Sequence, residues 1–134
     1  MSLRMAPPKP TAAETEILTV LWDQGPSTVR AVHEVLAAKR PTGYTTVLKL
    51  LQIMAGKGLV LRDERERSHV YRAAQPREVV QRELVGDLID RAFDGSAAAL
   101  VLRALSTGRP SRDELEEIRA RLDELEAARP RRPR

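Results

Sequence analysis

Thr45, Lys49 and Gln52 recur at i, i+4 and i+7 within the stretch YTTVLKLLQIM. At 100° per residue this spacing puts all three on one side of a helix. The opposite side carries Val47, Leu50, Leu51 and Met54, a single apolar stripe for a core. Short hydrogen-bonding groups and one cation, with no carboxylate among them, make a surface suited to base edges and phosphates. A helix face turned only to water would normally carry Glu as well, as residues 112–126 do. Thr46 lies at the edge of the same face. Each threonine costs at most about 0.7 kcal/mol of helix propensity relative to Ala, which the apolar stripe offsets.

The flanking charges fit a polyanion. Arg62, Arg65, Arg67 and Arg72 decorate the segment that follows, and of these Arg65 and Arg67 are the expected phosphate contacts. Asp63, Glu64 and Glu66 are interleaved with them, so a plainly solvated loop is the competing reading. Thr28 stands at a helix start, where its hydroxyl and the adjacent N–H groups either meet a phosphate or simply cap the helix. His33 lies beside Val29, Val32 and Leu36 and reads as a core-edge packing residue. His69 has no Cys, Asp or Glu at recurrent ligand spacing, so no metal site is expected. There is no phosphate loop, no nucleophile elbow and no carboxylate pair in an apolar setting. No catalytic residue, enzyme activity or cofactor is therefore expected.

These residues must be held by a scaffold of 134 residues with 42% apolar side chains, enough for one core and an appendage. Cysteine is absent, which excludes disulfides and thiolate chemistry. No apolar run reaches the roughly 18 residues of a membrane span and no signal peptide is visible, so a cytoplasmic protein without membrane insertion is expected. The net charge of +4 is unevenly spread. Residues 41–76 carry six basic and three acidic groups, residues 77–128 eight and twelve. A polyanion-binding front half joined to a part with another task is implied.

The breaks order the elements. Residues 1–10 hold three prolines and read as a disordered arm. Thr11 and Glu14 form a capping box ahead of Ile17, Leu18, Leu21 and Trp22, and Gly25-Pro26 ends that helix. A second helix begins near Ser27-Thr28 and stops before Arg40-Pro41, and the third ends at Gly56-Lys57-Gly58. Two β-prone runs, 59–62 and 68–73, flank a charged tip and predict a hairpin. Three helices and a hairpin give the winged helix-turn-helix order, whose third helix enters the major groove. The expected fold is mainly α with a small β-hairpin wing, over residues 11–75.

Residues 76–127 are expected to form a helical dimerisation domain, with 128–134 a basic disordered tail. A helix over 77–93 is followed by AAALVLRAL (97–105), which is apolar nearly all round and must be enclosed. Ser111 and Glu114 then cap a last helix with Leu115, Ile118, Leu122 and Leu125 at a/d spacing. Two protomers can hide such surfaces between them and span two half-sites on DNA.

The segments ILTVLWDQGPSTVRAVHEVL, YTTVLKLLQIMAGKGLV, RSHVYRA and FDGSAAALVLRAL resemble, in order and register, the penicillinase-repressor family of BlaI, MecI and the copper-responsive CopY branch. The likeness covers about residues 11–126. It implies a homodimeric winged-helix repressor that binds double-stranded DNA at an inverted-repeat operator with TACA/TGTA-type half-sites. It places the recognition helix on about 43–57, its DNA-facing positions on Tyr44, Thr45, Thr46 and Lys49, and the wing on about 59–73. It assigns the C-terminal helices to the dimer interface; the apolar side chains expected there are Leu84, Leu88, Phe93, Leu100, Val101, Leu105, Leu115, Ile118 and Leu122. The cysteine-rich metal hook of the CopY branch is missing, so thiolate metal sensing is excluded. In the penicillinase branch a membrane-bound sensor protease triggers cleavage of an Asn–Phe bond in the fifth helix. The matching positions here are Arg103 and Ala104, so cleavage there would require a different specificity.

Two further classes fit parts of the pattern. One is a protein-interaction adaptor that uses the winged helix as a scaffold and helix 112–126 as a recruiting surface. The other is a regulator gated by a small molecule in the dimer interface.

Overall fold

In the computed structural model, which describes residues 8–130, the chain begins its first helix where the capping box predicts. The expected arm at 1–10 lies largely, and the expected tail at 128–134 partly, outside the described residues. Helix α1 spans Ala12–Gln24. Thr11 Oγ1 accepts from the Glu14 N–H at 3.2 Å, and Glu14 Oε1 accepts from the Thr11 N–H at 2.9 Å. Gly25, at φ 82°, ends the helix in a conformation that costs a side chain dearly.

The next residues bring the first difference from the sequence reading. Ser27–Thr28 form a short strand, β1, before α2 (Val29–Lys39) begins. After α3 (Tyr44–Lys57), the hairpin consists of β2 (Val60–Asp63) and β3 (Val70–Ala73). β1 pairs antiparallel with β3, Ser27 opposite Tyr71 and Thr28 opposite Val70, so the sheet has three strands in the order β1-β3-β2. The expected hairpin is present, and its inner strand is tied to the root of α2.

The stripe on α3 is buried as its period requires: Val47, Leu51 and Met54 have no exposed surface, while Leu50 is half-buried. They meet Ile17, Leu18 and Leu21 of α1, Val29, Val32 and Leu36 of α2, and Val60 and Tyr71 of the sheet in one core. Each such aliphatic side chain contributes about 1.5–3 kcal/mol on burial. The left-handed Gly58 stops α3 and donates to the Ala55 carbonyl, and the chain then turns into β2.

Helix α4 runs from Arg77 to Ala92, followed by α5 (Ala97–Gly108) and α6 (Arg112–Ala127). The chain divides into compact units after Gly86, eleven residues beyond the break expected at 75/76. The physical reason is apolar burial on the first half of α4: Val80 joins the core of the first unit and Leu84 packs against it. Trp22 Nε1 donates to the Gln75 carbonyl at 3.0 Å and the Arg77 guanidinium lies 5.7 Å from the Trp22 ring centre. Arg77 also pairs with Asp23.

The second unit, residues 87–130 as described, is all helical. Ser96 caps α5 and the Ser111–Glu114 box caps α6. No residue of α5 or α6 is buried within the chain. Val101 and Leu102 are exposed at 44% and 69%, and Leu122 and Leu125 are also exposed. The enclosure expected for 97–105 is thus not supplied by the described residues of the chain.

Candidate nucleic-acid interface

Helix geometry decides what α3 shows to solvent. With Val47, Leu51 and Met54 fixed inward, Thr45, Thr46, Lys49 and Gln52 are exposed, and Tyr44 retains 47% of its surface. The outer face carries no carboxylate, and Gly56 keeps its C-terminal end low. Ile53 is also half exposed on this side, an apolar group that the polar i, i+4, i+7 pattern did not pick out.

Beside this face runs a cleft of about 350 Å³ between α3, the start of α2 and the wing. Thr28, Tyr44, Gln52 and Arg67 line it, together with Arg62 and His69. Four of the eight residues singled out in the sequence are therefore brought to one cleft from three separate segments. Arg67 has no carboxylate partner among the described residues, whereas Arg62 pairs with Glu64 and Arg65 with Asp63. Thr46 lies on the other flank of α3, in a depression it shares with Leu36, Arg40 and Thr42.

Arg65 is held by a clasp that sequence reading did not foresee. Its backbone N–H and Nε donate to Asp63 Oδ1, each at 3.0 Å, and Nη2 donates to Oδ2 at 2.6 Å. The Arg65 guanidinium, helped by the backbone N–H, lowers the Asp63 carboxyl to about 2. Arg62 hydrogen-bonds Tyr71 and pairs with Glu64, which raises its already high pKa. Thr28 Oγ1 accepts from the Ala31 N–H at 3.1 Å, the plain capping role, while its residue still lines the cleft.

His33 is half-buried, as expected for a core-edge residue, but it also has a polar partner. Its Nε2 lies 2.8 Å from the Thr42 carbonyl oxygen and its ring stands edge-on to Tyr44. At the far end of α3, Lys57 reaches back to the buried Glu14 carboxylate. Neither link has a sequence signal, because each joins residues through the fold.

The arrangement is a carboxylate-free helix face flanked by arginines. The penicillinase repressor family model matches residues 10–124. The chain belongs to that family. Two curated relatives, both named "Transcriptional regulator BlaI", come from the CDC 1551 / Oshkosh and ATCC 25618 / H37Rv strains of Mycobacterium tuberculosis. Each is 38% identical over 122 residues, covering 90% of this chain and 87% of the relative. Penicillinase repressors are transcriptional repressors and not enzymes, in agreement with the expectation of no enzyme activity. Among the described residues no helix is long and apolar enough to cross a membrane.

Proposed function

We propose that the chain is a homodimeric, sequence-specific repressor in the cytoplasm, which reads an inverted-repeat DNA operator with α3 and grips the backbone with the wing. The observation that carries the reading is the exposed α3 face. Thr45, Thr46, Lys49 and Gln52 stand clear of the core with no carboxylate between them, and Tyr44, Gln52 and Arg67 converge on the adjoining cleft. Hydroxyls and an amide on such a face suit base edges, threonine methyls suit thymine, and the arginines suit phosphates.

The second unit supports the dimer. Apolar residues left unburied on α5 and α6 match the divided core of an obligate interface. Leu88, Phe93, Leu100, Val101, Leu105, Leu115, Ile118 and Leu122 are the side chains we assign to it, joined by Leu102, which is 69% exposed; Leu84 already packs on the first unit's core. Derepression then follows from any event that breaks this interface, including proteolysis within 94–110. Arg103 and Ala104 are exposed but lie inside α5, so a protease, which favours irregular chain, would need the helix opened first.

Selection of duplexes from a random pool by the full-length protein tests the reading. An enriched inverted repeat, bound with an affinity that falls steeply with salt, is the expected result. Absence of both enrichment and salt dependence would refute it in favour of an adaptor.

A further inference from the structure

Helix α3 starts without a side-chain cap. Its N-cap is Gly43, which offers no acceptor, whereas Thr11, Thr28, Ser96 and Ser111 cap α1, α2, α5 and α6. The omission is not forced by space: a Cβ at Gly43 would meet only Thr46 Oγ1, at 3.6 Å. The helix that presents Thr45, Lys49 and Gln52 is thus less anchored locally at its start than four of its neighbours.

The anchorage comes from α2. His33 places Nε2 2.8 Å from the Thr42 carbonyl oxygen. A carbonyl can only accept, so Nε2 carries the proton and donates. The same ring meets Tyr44 edge-on, with centroids 5.7 Å apart and planes at 77°, a favoured aromatic geometry. Thr42 precedes the N-cap and Tyr44 follows it, so one side chain holds both sides of Gly43. Thr42 Oγ1 donates to the Arg40 carbonyl at 3.0 Å and closes the turn further.

We propose that His33 is a positioning residue for DNA recognition: its grip on Thr42 and its contact with Tyr44 fix the angle at which α3 leaves the turn. This rests on the reading of α3 as the recognition helix. Base-edge hydrogen bonds demand alignment, whereas attraction to phosphates tolerates a tilted helix. Loss of the grip therefore lowers affinity for the selected sequence more than affinity for DNA in general.

The test compares full-length variants on the duplex enriched by the wild-type protein and on a scrambled duplex of equal length. His33→Ala is expected to lower the ratio of the two affinities about fivefold, the worth of one hydrogen bond. His33→Gln, whose amide N–H can replace Nε2–H, restores the ratio to within about twofold of wild type. If His33→Ala does not fold, His33→Leu supplies the donor-free variant at similar volume. An unchanged ratio in the donor-free variant, equal losses on both duplexes, or a His33→Gln loss as large as that of His33→Ala would each overturn the proposal. Failure of the wild-type protein to enrich any sequence would instead overturn the recognition reading itself.

Discussion

Lys57 closes on the Glu14 carboxylate from the last turn of α3, its Nζ 3.0 Å from Oε1 and 2.9 Å from Oε2. Glu14 is 1% exposed, while the Lys57 side chain keeps 31% of its surface. The pair joins the capped start of α1 to the end of α3, the helix that carries Thr45, Lys49 and Gln52. Its two ends are unequal. Without Glu14, Lys57 can swing into water; without Lys57, a carboxylate is left in the core. Lys57→Met is therefore expected to cost about 3 kcal/mol, and Glu14→Gln about 1–2 kcal/mol. Urea unfolding of both variants gives the comparison, and a larger loss for Glu14→Gln would contradict it.

The same pair sets an acid limit. Burial alone would raise the Glu14 carboxyl, but the Lys57 ammonium and the Thr11 N–H outweigh it and hold the carboxyl below its ordinary value of 4.5. A depressed folded pKa means the unfolded chain takes up the proton first. The stabilisation is present in full above about pH 4.5 and is lost as pH falls below it towards the depressed folded value. Urea midpoints of wild type and Glu14→Gln should converge on acidification. A gap between them that stays constant from pH 7 to pH 3 would remove the pair as its cause.

Most of this fold is written in local signals, and the part that escapes reading is non-local. Thr11 with Glu14, Gly25, Gly58 and Ser111 with Glu114 announce their helix ends because each acts within four residues of itself. The period of Val47, Leu51 and Met54 fixes the face that Thr45, Lys49 and Gln52 present. β1 carries no such signal: two residues, Ser27 and Thr28, become a strand only because Tyr71 and Val70 arrive beside them. Glu14 reads as a cap residue, and nothing near it tells that Lys57 will bury its carboxylate. Val80 has the pattern of any amphipathic helix, which does not say which core it joins.

At the wing, Asp63 holds the guanidinium of Arg65, the side chain that the proposed backbone contact would use. The clasp persists until pH falls through about 2, so it is intact wherever binding is measured. Asp63→Asn removes the charge that holds Arg65 and one repulsive carboxylate together. The slope of log affinity against log salt should steepen by about 0.9, the value for one more neutralised phosphate. A slope equal to wild type would show that Arg65 stays off the backbone.

Lys49 and Glu117 provide a paired test of which helix touches DNA. Both are exposed, one on α3 and one on α6. Lys49→Ala is expected to weaken binding to the selected duplex about tenfold, as for loss of a charged contact in the groove. Glu117→Ala should leave it unchanged. Equal effects in an equilibrium binding titration would remove the assignment of α3 as the reading element.

On α5 the decisive residue is Leu102, 69% exposed in the single chain. In a protein that works as one chain, Leu102→Asp would change stability by about 0.5 kcal/mol or less, the usual result at an open surface. Against a second copy the same change buries an unpaired carboxylate, a cost of about 3 kcal/mol or more. That is roughly a hundredfold or greater loss in dimer affinity. Sedimentation of Leu102→Asp should show monomer at concentrations where wild type and Glu117→Ala are dimeric, and operator affinity should fall with it although no DNA contact is altered. A Leu102→Asp protein that stays dimeric and binds the selected duplex as tightly as wild type would exclude this face of α5 from the interface.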